Sequence, residues 1–105
     1  MRYYRDVITG FADKETAKIF EGRQSRKLPA DIQAAALRKL QYIHDASRLV
    51  DLMVPPGNRF EALKGDRAGQ YSIRINAQWR ICFSFEETDG QRPASASDVG
   101  IVDYH

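Results

Sequence analysis

Residues 71–85 read YSIRINAQWRICFSF, and the order of apolar and polar side chains in them decides the fold. Tyr71, Ile73 and Ile75 alternate with Ser72 and Arg74. After the polar connection of Asn76, Ala77 and Gln78, residues Trp79, Ile81, Phe83 and Phe85 alternate with Arg80, Cys82 and Ser84. Successive side chains of a strand point to opposite faces, so two period-two runs with a turn between them specify an antiparallel hairpin with one greasy face. Tyr71 falls on that greasy side. The same alternation places Arg74 and Arg80 on the other side, where both are expected to emerge from adjacent strands.

Working outward, Pro55, Pro56, Gly57 and Asn58 form a turn cluster that ends anything helical before it and launches an extended segment from Arg59 to Leu63. Downstream, Thr88 to Ser97 is rich in Gly, Pro and Ser and reads as a loop. Val99, Ile101 and Val102 then form a last strand ending in Asp103, Tyr104 and His105. Upstream the period changes. Asp13 is placed to cap a short helix carrying Ile19 and Phe20, with Gly22 where a helix-terminating glycine belongs. Leu28 and Pro29 introduce a longer helix, Asp31 suits the positive end of its dipole, and Ile32, Ala36, Leu40 and Ile43 give it one apolar face through to Ala46. His44, near its end, suits the negative end of the dipole and is given no catalytic role. Tyr3 to Phe11 reads as an opening strand. Two N-terminal helices packed on one face of a mostly antiparallel β-sheet make an α+β protein whose other face is left for function.

A chain of 105 residues with 43 % hydrophobic content has room for one compact domain, residues 1–105. It has no apolar run long enough to span a bilayer and no basic start followed by an apolar stretch, so a cytoplasmic protein without membrane contact is expected. Cys82 is the single cysteine, which excludes an internal disulfide and a cysteine-based metal cluster; it reads as a strand residue. The net charge of +2 conceals an imbalance. Arg59, Lys64, Arg67, Arg74 and Arg80 outnumber Glu61 and Asp66, whereas after Glu86 only Arg92 opposes Glu87, Asp89, Asp98 and Asp103. A local basic surface of this kind engages polyphosphates such as RNA, with Arg59, Arg67 and Arg74 as candidate RNA contacts.

Cleaving RNA with side chains alone takes a base for the ribose 2′-OH, an acid for the leaving 5′-oxygen and cations for the charge developing on phosphate. His105 suits either proton-transfer role at neutral pH. Arg80 and Lys64 are fixed positive donors, and a guanidinium can hold two phosphate oxygens at once. Tyr104 is placed to stack on an unpaired base.

The run LKGDRAGQYSIRINAQWRICFSF, residues 63–85, and the terminal VDYH, residues 102–105, resemble HigB toxins of the RelE superfamily. DKETAKIF, residues 13–20, and KLPADIQAAALRKL, residues 27–40, are similar to that family's two helices, so the resemblance spans nearly the whole chain. It implies a RelE-like fold and the toxin of a type II toxin–antitoxin pair. The implied activity is a metal-independent, cofactor-free endoribonuclease that cuts mRNA in the A site of the small (30S) ribosomal subunit. The implied partner is a HigA-like helix-turn-helix antitoxin, which neutralises the toxin and links it to operator DNA. Carried over by position, the family's site falls on Lys64, Arg80, Asp103, Tyr104 and His105. Some relatives have a histidine just before the LKGD run where this chain has Glu61. A carboxylate is a good base only where burial or a second carboxylate raises its proton affinity, so the base is Glu61 or His105. The alternatives are a non-enzymatic, gyrase-inhibiting toxin of the ParE branch, or a weakly active toxin acting on ribosome biogenesis.

Overall fold

The computed structural model describes residues 7–104. Helix α1, Lys14–Phe20, begins where Asp13 leaves extended backbone and its carboxylate accepts the Thr16 N–H at 2.7 Å. It ends at Gly22, whose φ of 82° lets the N–H groups of Gly22 and Arg23 turn back to the carbonyls of Ile19 and Lys18 at 3.0 and 2.8 Å. Pro29 precedes a 3₁₀ turn, Ala30–Ile32, that leads into α2, Gln33–Asp45. The spacing of Ile32, Ala36, Leu40 and Ile43 works as expected: all four are buried. His44 packs edge-on against Phe20 and accepts the Ile8 N–H, a structural position.

A short helix that the sequence did not announce, α3, Val50–Met53, follows α2, and Pro56–Asn58 forms a 3₁₀ turn rather than a plain stop. The extended segment expected over Arg59 to Leu63 shrinks to β1, Glu61–Ala62, because Arg59 turns left-handed (φ 47°). Leu63 still donates to the carbonyl of Gln70 at 2.9 Å.

Strands β2, Gln70–Arg74, and β3, Trp79–Glu86, form the expected hairpin, with the Asn76 side chain accepting the N–H groups of Gln78 and Trp79 at 2.8 Å each across the turn. Strand β4 runs over Ser95–Asp103, so Ser95, Ala96 and Ser97 are strand rather than loop. Neighbouring strands are antiparallel throughout, in the order β1-β2-β3-β4. Between Cys82↔Gly100 and Ser84↔Ser97, β4 spends one residue more than β3, a bulge with Asp98 at φ 55°. The bulge reverses which face each later residue takes. Ala96, paired with Phe85, turns into the core, and Ser97 turns out to solvent.

Of the expected opening strand, Tyr3 to Asp6 lie outside the described residues. The remainder makes two isolated bridges parallel to β4, Ile8↔Ala96 and Phe11↔Val99. The core is one layer between α1 and α2 and the sheet face carrying Ile73, Ile81, Phe83, Ala96 and Val99. Tyr71 lies on this side but is only half-buried, stacked on Phe60. No described helix is long and apolar enough to cross a membrane.

Candidate functional site

Register decides which side chains share the face away from the helices. Directly paired residues point the same way, so Glu61, Ser72, Cys82, Arg74, Arg80 and Val102 belong to one face. Ile73, Ile81, Phe83 and Trp79 belong to the other.

Arg80 is the centre of the first face, and it does not emerge as the alternation alone suggested. It is buried, 9 % exposed. Its Nε donates to the Ser72 hydroxyl at 2.8 Å, and one terminal nitrogen donates to the carbonyl of Arg59 and, at 3.4 Å, to that of Ser72. A buried guanidinium needs its donors met, and here backbone and hydroxyl oxygens meet them. Glu61, largely exposed, stands 3.8 Å from the same nitrogen, and the ring of Tyr104 lies 5.6 Å from the guanidinium carbon. The result is a cation of fixed orientation between a carboxylate and an aromatic ring.

The remaining candidates are distributed around this centre. Tyr104 donates its backbone N–H to the Gln78 carbonyl at 2.6 Å, which continues the β4 ladder and brings its ring to Arg80. Asp103 pairs with Trp79 and so takes the opposite side of the strand, where it accepts from the Gln78 amide at 3.2 Å. His105 lies outside the described residues. Lys64 is exposed just past β1, with its carbonyl accepting the Arg67 N–H. It stands about five residues along the sheet from Arg80, roughly 16 Å at about 3.3 Å per residue. The two cations therefore stand apart along the sheet rather than share one point.

Arg59 contributes its carbonyl to the centre while its side chain is exposed. Arg67 is exposed and bound to Gln70 at 2.9 Å, and Gln70 in turn donates to Asp98 at 3.1 Å. Arg74, directly opposite Arg80, is half-buried rather than free on the surface. Two arginines facing each other across a strand pair repel, an arrangement a stable sheet avoids unless the charge has another use. With Glu61 and Asp98 among them, the face is mixed in charge. Cys82 lies beneath it, buried, and burial pushes its thiol pKa up, away from nucleophilic chemistry.

Ser72 and Gln70 belong to this arrangement and were not singled out from the sequence as site residues. Ser72 was legible in principle, since it sits two residues from Arg74 on the arginine-bearing face.

Helices on one side of a four-stranded antiparallel sheet, with an arginine-centred polar face on the other, are the α+β architecture of this chain, and its class is that of the RelE-like toxins. Within it, the family described as the RelE-like toxin of type II toxin–antitoxin system HigB matches residues 9–105, and the chain belongs to that family. It is 41 % identical to Toxin HigB-1 of Vibrio cholerae over 76 residues, 71 % of this chain and 80 % of that protein. It is 32 % identical to Endoribonuclease HigB of Proteus vulgaris over 103 residues, 94 % of this chain and the whole of that protein. Among solved structures, a YoeB/ParE toxin from Agrobacterium tumefaciens is similar at 25 % identity and a TM-score of 0.39, over 69 % of this chain and 76 % of that one.

Proposed function

We propose that this toxin is an endoribonuclease that cuts mRNA on translating ribosomes in the cytosol and is silenced by a HigA-like antitoxin. The observation that carries the reading is Arg80, buried and anchored on one edge yet adjoining Glu61 and Tyr104 on the open sheet face. The name of the Proteus vulgaris relative supports the reaction type.

In this reading a base takes the proton of a ribose 2′-OH, the 2′-oxygen attacks the adjacent phosphorus, and the bond to the 5′-oxygen breaks as that oxygen receives a proton. The products are a 2′,3′-cyclic phosphate and a 5′-hydroxyl end. Arg80 offers its charge to the phosphate oxygens as negative charge accumulates on them, and being already ordered it needs little reorganisation. The base is Glu61 or His105. Glu61 adjoins Arg80 but is exposed and has no second carboxylate beside it to raise its proton affinity, and His105 can also return the proton to the leaving oxygen. Tyr104 stacks on a base and turns the backbone toward Arg80. Lys64 holds a flanking phosphate, and the ribosome supplies much of the binding surface.

The test is induced expression followed by mapping of transcript 5′ ends. New 5′-hydroxyl ends inside coding regions are expected, lost when translation is blocked and lost in Arg80→Ala. Growth arrest with double-strand DNA breaks and intact transcripts would overturn the reading in favour of gyrase inhibition.

A further inference from the structure

One buried polar pair stands apart from the site, and its position beside the site gives it a use. Asn58, fully buried in the turn between α3 and β1, donates its amide to the Leu52 carbonyl at 3.0 Å and accepts the Lys39 ammonium at 2.5 Å. Lys39 reaches in from α2, is 8 % exposed, and lies over the Tyr42 ring at 5.6 Å. Among the described residues its ammonium makes no ion pair. An ammonium buried without a carboxylate opposes folding, so an apolar residue there would serve a purely structural core better.

The next residue gives the pair its meaning. Arg59 is held left-handed at φ 47°, a conformation that is strained for an L-residue and persists only where its surroundings impose it. In that conformation its carbonyl accepts from the Arg80 guanidinium. The connection thus runs from α2 through Lys39 and Asn58 to the Arg59 backbone and so to Arg80.

We infer that Lys39 and Asn58 are a latch that positions Arg80 for phosphate, acting through the Arg59 carbonyl. The inference rests on the ribonuclease reading of Arg80 and adds two positioning residues to it.

Two measurements on the full chain test the latch: single-turnover cleavage on programmed ribosomes, and the Arg80 Nε–H resonance of the free protein. Both are taken at temperatures where each variant is folded. Asn58→Ala should lower the maximal rate about tenfold, with KM changed less than about twofold, because misorientation affects the reacting geometry more than binding. In an Arg80→Lys background, which lacks the planar fork, the same substitution should cost less than about twofold. The Arg80 resonance should shift and lose its protection from exchange. A wild-type rate in Asn58→Ala, an undiminished tenfold loss on top of Arg80→Lys, or an unmoved Arg80 resonance would each overturn the latch. If Asn58→Ala does not fold, Lys39→Met takes its place with the same expected results. Should the unmodified chain cut no RNA, the ribonuclease reading fails, and the Arg80 resonance still decides whether the latch orients the guanidinium.

Discussion

Arg80 is held by Ser72 and by the Arg59 carbonyl, so under the proposed function its contribution depends on its neighbours as much as on its charge. Ser72 is fully buried and its hydroxyl accepts the Arg80 Nε proton. Ser72→Ala removes that acceptor from a buried charged donor, a loss of about 1.5–3 kcal/mol where the bond is to a charged group. Cleavage should fall by about tenfold or more, while circular dichroism reports an intact fold. Glu61, by contrast, is exposed, and its substitution should leave stability unchanged within about 0.5 kcal/mol. If Glu61 is the base, Glu61→Gln lowers the maximal rate by about 100-fold or more and flattens the acid side of the pH–rate profile. A wild-type rate and profile in Glu61→Gln would instead assign the base to His105.

At the scale of elements, the segment from α3 to β1 is short of regular hydrogen bonding and depends on side chains to hold its path. Asp51 in α3 accepts the N–H groups of Ser47 and Arg48 at 2.9 and 3.1 Å, and these two donors hold its pKa below the usual aspartate value. A carboxyl with a depressed folded pKa contributes stability that is present above its unfolded value, about 3.9, and is lost as pH falls through the folded one. Melting temperature followed between about pH 5 and 2 should therefore decline less steeply in Asp51→Asn than in the parent chain. Identical slopes would show that the contacts of Asp51 do not hold in solution. The β4 bulge works at the same scale. By placing Asp98 in a left-handed turn, it carries that carboxylate to Gln70 on the site face and Ala96 into the core.

Across the whole molecule, the helices cover one sheet face, and the proposed function puts single-stranded RNA against the other, with the exposed Arg59 and Lys64 side chains at its margin. Binding to single-stranded RNA on such a face should weaken with salt as counterions are released. Arg59→Ala and Lys64→Ala, both at exposed side chains, should each reduce the slope of log affinity against log salt by about 0.7. Filter binding over a salt series measures this, and slopes unchanged in both variants would place the RNA elsewhere.

The hairpin over residues 71–85, the capped helix after Asp13 and the apolar face of α2 were legible in the sequence because each rests on a local cause: alternation, a cap, or helical spacing. The family resemblance pointed to Arg80, Lys64 and the terminal triplet as a site, a reading that the cleavage experiments are designed to test. The rest came from contacts between residues far apart in the chain. Ser95 to Ser97 look like a loop by composition and become strand only because Phe85 and Ile8 pair on either side of Ala96. Alternation showed that Arg80 leaves the core side, but its burial depends on Arg59, 21 residues away, and on Ser72 across the strand. Asp103 and Tyr104 are neighbours in sequence, and the pleat of β4 divides them between two faces. Local chemistry thus determined which elements form and which residues carry charge; the packing of distant segments decided which of those charges are held still.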